Sequence, residues 1–154
     1  QLIRRFSINL GSVRITETCF PSDPATPEQV AAAIQQIDRE LAAAGVEGRP
    51  DQLVGMGGTV TSMGAVKHKM VKYDPAVIQG SVLTREDIKA QISEYSSRTT
   101  AQRREMPGLQ PKRADVILAG ACILEAITAR FGVDKLTISD KGLRHGLAYD
   151  LFQK

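Results

Sequence analysis

The stretch from Lys112 to Phe131 constrains this chain most. Pro111 opens it at a position where a missing N–H costs nothing, and Gly132 closes it. Between them Val116, Leu118, Ile123, Leu124, Ile127 and Phe131 wrap most of a helix's circumference rather than one stripe. Such a helix is buried on most sides, so the fold has to be assembled around it. Gly120 in its interior costs roughly 1 kcal/mol against alanine. A close approach by another part of the chain would offset that.

The elements around this helix alternate. Leu2 to Leu10 reads as a strand, with Leu2, Phe6, Ile8 and Leu10 on one parity. After Gly11, a short helix runs from Val13 to Phe20 with Ser12 as its N-cap. Thr26-Pro27-Glu28-Gln29 is a capping box, and Val30, Ile34, Ile37 and Leu41 form the stripe of the helix it starts, ending near Gly45. Leu53 to Met56 is a short buried strand, followed by Gly57-Gly58-Thr59 and a helix through Val60 to Val66. Tyr73-Asp74-Pro75 is a turn, and Val77 to Leu83 is extended chain broken at Gly80. Thr84 caps a helix that turns Ile88, Ile92 and Tyr95 inward. Ser96 to Pro111 reads as a helix end and a long polar connection. Leu136-Thr137-Ile138 is a strand, and Ser139 to Gly142 leads into a last helix ending near Phe152. This alternation predicts one α/β layered domain over residues 1–154.

Composition sets limits. Hydrophobic residues make up 42% and charged residues 24%, with no apolar run of membrane-spanning length. The net charge of +3 fits an anionic ligand without requiring one. Cys19 and Cys122 read as two buried thiols in a reducing cytoplasm. With His68 and His145 the only histidines, no zinc spacing exists and no metal site is expected in this chain. Lys67, His68, Lys69 and Lys72, like Arg98, Arg103 and Arg104, read as solvated faces. Aromatics, at 5%, do not interleave with them, which argues against a nucleic-acid platform.

Three turns share a design: Gly11-Ser12, Gly57-Gly58-Thr59, and Asp140 to Gly142, each before a helix. A helix N-terminus offers unpaired N–H groups and partial positive charge, and glycine lets an anion approach them. Most Gly-Gly turns only connect elements, and the same ordinary reading applies to Ser12 and Asp140 as caps. Arg113 has two readings, an intrahelical pair with Asp115 or a contact to phosphate. Arg144, beside His145, has the same ambiguity.

Four segments taken together resemble the exopolyphosphatase / guanosine pentaphosphate phosphohydrolase family. They are Gly11-Ser12-Val13-Arg14, Gly57-Gly58-Thr59, Arg113-Ala114-Asp115, and Ile138 through Leu147. The resemblance implies a ribonuclease H-like lobe of the actin / sugar kinase / heat-shock ATPase fold, a mixed sheet flanked by helices. It implies hydrolysis of the terminal phosphate of polyphosphate or guanosine pentaphosphate, with a divalent cation such as magnesium. It also implies that this chain is the second of two lobes. The first lobe, with its catalytic glutamate and phosphate loop, would lie outside the chain, which starts without Met. On that reading no catalytic base is present, Glu17 being a surface residue, and the chain alone is inactive. Gly11, Ser12, Gly57, Gly58, Thr59 and Arg113 would bind phosphate, and Asp140, Gly142 and Arg144 would organise the C-terminal loop. The implied partners are the substrate, the other lobe and, through a sheet edge left open, a second copy of the chain. The alternative is a phosphate- or nucleotide-sensing module that kept the fold and lost the chemistry.

Overall fold

The computed structural model describes residues 4–152. The elements in chain order are α1 (Ser12–Cys19), α2 (Pro27–Ala43), β1 (Val54–Met56), α3 (Gly58–Lys67), α4 (Pro75–Ile78), β2 (Val82–Thr84), α5 (Arg85–Ser96), α6 (Thr100–Arg104), α7 (Ile117–Phe131), β3 (Lys135–Ser139) and α8 (Leu143–Phe152), with a 3₁₀ turn at Pro111–Arg113. The strands form a mixed sheet in the order β1-β3-β2. β1 lies parallel to β3 with Met56 opposite Ser139, and β2 antiparallel with Leu83 opposite Leu136.

The expected buried helix is α7, and it is the hub. It packs against α1, α2, α3 and α5. Ile117, Leu118, Ala119, Gly120, Ala121 and Cys122 are all buried along its first two turns. Gly120 has the close neighbour its sequence predicted. A Cβ there would lie 2.4 Å from Thr59 Cγ2 and 2.8 Å from Thr59 Oγ1, so the first turn of α3 rests directly on α7. Gly120→Ala is therefore expected to cost about 1–2 kcal/mol, because overpacking outweighs the gain in helix propensity. Adding Thr59→Ala should recover most of the lost melting temperature. An equal drop in both variants would show that the strain lies elsewhere.

One face of the sheet carries the core. Leu83, Leu136 and Ile138 are buried there, and Gly55 fits between Leu136 and Val60. The expected burial of β1 does not hold: as an edge strand it leaves Val54 and Met56 exposed on the opposite face, and only Gly55 turns toward the core. Capping boxes at Thr26–Gln29 and Thr84–Asp87 start α2 and α5.

Several expected elements differ. Leu2 and Ile3 lie outside the described residues, and residues 4–10 form no strand. Ile8 and Leu10 still pack on the core, but among the described residues no strand pairs with that segment. Val77 to Leu83 is not continuous extended chain. Pro75 with the Asp74 side chain, which accepts from Ala76 N at 2.9 Å, winds one helical turn before β2. α7 begins at Ile117, later than Lys112, because the 3₁₀ turn interrupts the run. The polar connection contains α6. Ser12 is the first helical residue of α1, not its cap; Gly11 occupies the cap position. Of the two thiols, Cys122 is buried and its pKa is pushed up to about 12 by burial, while Cys19 is only half-buried.

Candidate functional site

The site begins where β1 runs into α3. Gly57 takes a φ of +100°, a conformation that side chains resist, and turns the chain sharply at the strand's end. It caps α3 without any side-chain hydrogen bond. The first intrahelical bond recorded at this end runs from Thr61 N to Gly57 O at 3.1 Å. The N–H groups of Gly58, Thr59 and Val60 therefore have no acceptor within the helix, and the dipole of α3 adds positive potential at this point.

Arg113 is brought to the same place from far along the chain. A Cβ on Gly58 would lie 2.1 Å from Arg113 Nη2 and 2.4 Å from Cζ, so the guanidinium occupies the space beside the missing side chain. The 3₁₀ turn fixes its backbone: Arg113 N donates to Gln110 O at 2.8 Å, and Val116 N to Arg113 O at 3.1 Å. Two positive groups, a guanidinium and a free helix N-terminus, thus face one spot. That arrangement favours an anion between or beside them. Asp115 is exposed and is not among the ion pairs of the described residues, so the intrahelical pairing with Arg113 does not form.

The end of β3 forms the other wall. Asp140 follows Ser139, which pairs with Met56, and so lies at the same end of the sheet as Gly57. Its carboxylate accepts from the Tyr73 hydroxyl, and its backbone N–H donates to Gln79 Oε1 at 2.9 Å. Tyr73 is half-buried, and its pKa is pushed up to about 12 by burial and by the Asp140 carboxylate. Thr61, whose hydroxyl donates to Gly57 O at 3.2 Å, also faces Tyr73. Gly142 accepts from His145 N and Gly146 N at the start of α8, and Arg144 is exposed.

The sequence-predicted residues divide accordingly. Gly57, Gly58 and Arg113 come together, with Asp140 alongside. Thr59 supplies a backbone N–H, but its side chain is pressed against Gly120. Gly11 and Ser12 are joined to the Gly58–Arg113 pair by no hydrogen bond among the described residues, and Ser12 O accepts instead from Thr16 Oγ1 at 2.8 Å. Two residues were missed. Tyr73 had read only as part of a turn. Arg103 had read as solvated, yet it is buried, and its Nε donates to Ala114 O at 2.7 Å. Tyr73's partner Asp140 is remote in sequence. The acceptors of Arg103 all lie within eleven residues, but only the folding of α5, α6 and the 3₁₀ turn around it buries the side chain among them. Of the basic residues around the end of α3, Lys67 is held by Asp87 Oδ2 and Val82 O, while His68, Lys69 and Lys72 are exposed. Among the described residues no group of three or more His, Cys, Asp or Glu side chains converges to hold an ion, and Asp140 alone does not fit as a divalent-cation site.

The fold is that of an actin-like α/β lobe, and comparison places it more narrowly. The model of the Ppx/GppA phosphatase family matches residues 1–154, and the chain belongs to that family. It is 32% identical over 159 aligned residues to exopolyphosphatase 2 of Mycobacterium tuberculosis, covering 98% of this chain and 50% of that protein. It is 34% identical to a bifunctional 3-dehydroquinate synthase/phosphatase of Fusobacterium nucleatum, covering 89% of this chain and 21% of that one. The crystal structure of the Aquifex aeolicus Ppx/GppA phosphatase superposes with a TM-score of 0.90 at 34% identity, over 96% of this chain and 49% of its own. The chain spans about half the length of the exopolyphosphatase and Aquifex phosphatase it matches. No helix among the described residues is long and apolar enough to cross a membrane.

Proposed function

We propose that residues 1–154 are the phosphate-chain-binding lobe of a two-lobe phosphohydrolase acting on the terminal phosphate of inorganic polyphosphate or guanosine pentaphosphate. The observation that carries this reading is the Arg113 guanidinium seated beside Gly58 at the uncapped N-terminus of α3. Non-bridging phosphate oxygens would accept from the guanidinium, bidentately where they reach, and from the N–H groups of Gly58 and Thr59. Charge developing on the transferred group would be held by donors already in place. This lobe carries no assigned general base; water activation belongs to the other lobe. A divalent cation would neutralise phosphate charge, with ligands supplied mainly from outside this chain.

The test is phosphate release from medium-chain polyphosphate and from guanosine pentaphosphate with magnesium, for the full-length protein and for residues 1–154. Activity in the first and none in the second is the expected result. Silence in both would favour the sensing module, and turnover by the 154-residue chain would mean that it holds a base after all.

A further inference from the structure

We infer that Tyr73 is a positioning residue that keeps the Asp140 carboxylate from occupying the phosphate site; this rests on the phosphate-binding reading above. Asp140 follows the last β1–β3 pair, Met56 with Ser139, at the sheet end from which Gly57 leaves, and the Tyr73 hydroxyl it holds also faces Thr61, which donates to Gly57 O. A carboxylate so near a free helix N-terminus is attracted to those N–H groups just as phosphate is. Left to rotate, Asp140 would compete with substrate at the Gly58 turn and neutralise Arg113. The structure shows it held elsewhere. The Tyr73 hydroxyl donates to Asp140 Oδ1, and Gln79 Oε1 fixes the backbone of the same residue.

Tyr73 is itself firmly placed. Its ring lines an open apolar cleft of about 430 Å³ with Ala65, Met70, Leu109 and Pro111. One wall of that cleft is rigid, because Gly108 lies so close to α3 that a Cβ would sit 2.3 Å from Ala65 O. The burial that seats the ring also keeps the phenol protonated, so the hydroxyl remains a donor across the physiological range. Tyr73 thereby ties the end of β3, through Asp140, to the first turn of α3, where it faces Thr61.

The experiment is calorimetric binding of inorganic tripolyphosphate to the full-length protein and its variants, with melting temperatures measured alongside. Tyr73→Phe keeps the ring in the cleft and removes only the hydroxyl. It should weaken binding about two- to five-fold, the typical range of a charge at a helix N-terminus, with little change in melting temperature. Tyr73→Phe with Asp140→Asn should return affinity to near the wild-type value, since the competing charge is gone. Unchanged affinity in Tyr73→Phe, or a loss that Asp140→Asn does not restore, overturns the assignment. Arg113→Ala separates the two readings. If it binds tripolyphosphate as tightly as wild type, or if wild type does not bind, the phosphate site itself is misplaced. If Arg113→Ala weakens binding and Tyr73→Phe does not, only the role of Tyr73 fails.

Discussion

Gly58→Ala is expected to reduce turnover of the full-length protein about 100-fold, the scale for losing one preorganised donor to a charged transition state, while shifting folding stability by less than about 1 kcal/mol. Glycine is not required here by backbone conformation, since Gly58 is absent from the positive-φ residues. What it provides is room. The added Cβ would meet Arg113 Nη2, Cζ and Nε at 2.1, 2.4 and 2.9 Å. All three atoms are at the far end of a flexible side chain, so the guanidinium swings away and the fold survives. The lost function is then that of Arg113. Gly58→Ala and Arg113→Ala should each lower kcat/KM, and the double variant should be little worse than Arg113→Ala alone, because both act through one group. Additive losses would mean that the methyl group blocks phosphate by itself. Normal turnover with a large fall in melting temperature would reduce the pair to a packing contact.

The reading of the sequence succeeded where the signal is local. The capping box at Thr26 and the N-cap at Thr84 need only a few neighbouring residues to form, and both are legible in the sequence; the reciprocal bond that makes Thr84–Asp87 a box is seen only in the structure. The apolar surround of α7 announced a central helix, and Gly120 announced its close neighbour. The Gly57-Gly58-Thr59 turn was recognisable as a helix entrance from the glycines and the apolar run before them. The first segment shows the limit. Its alternation survives as Ile8 and Leu10 packed on the core, but alternation specifies only which side chains face inward. A strand also needs a partner ladder, and among the described residues none reaches 4–10. Arg113 was suspected of binding phosphate, but nothing in its own helix could say that it would lie over Gly58. That proximity is produced by the 3₁₀ turn and by the packing of α3 on α7. Tyr73 and Arg103 were invisible for the same reason: a side chain's role in a site is set by what packs beside it.

Arg103 should be the costliest polar side chain in the chain to remove. It is 4% exposed, and each of its three guanidinium nitrogens donates a hydrogen bond. Nε donates to Ala114 O at 2.7 Å, Nη1 to Tyr95 O and Arg98 O at 2.8 Å each, and Nη2 to Thr100 Oγ1 at 2.8 Å. Burial lowers its pKa, opposed by Asp23 and Asp115, but a guanidinium stays charged regardless. Arg103→Met fills the volume but removes the side-chain donors to Ala114 O, Tyr95 O and Arg98 O, of which Tyr95 O retains a backbone donor in Arg98 N at 3.4 Å, and is expected to cost about 3 kcal/mol. Asp23→Asn should cost less than about 1 kcal/mol, because its Oδ1 lies 3.7 Å from Arg103 and its carboxylate is half exposed. The informative variant is Arg103→Lys. An ammonium cannot span the carbonyls at the end of α5 and Ala114 O together. Ala114 directly follows Arg113, so releasing its carbonyl loosens the turn that seats the guanidinium over Gly58. Arg103→Lys that folds should therefore bind tripolyphosphate several-fold more weakly, an effect that purely global destabilisation would not produce well below the melting temperature. Wild-type affinity in that variant would show that the 3₁₀ turn holds Arg113 unaided, through its own bonds from Arg113 N to Gln110 O and from Val116 N to Arg113 O.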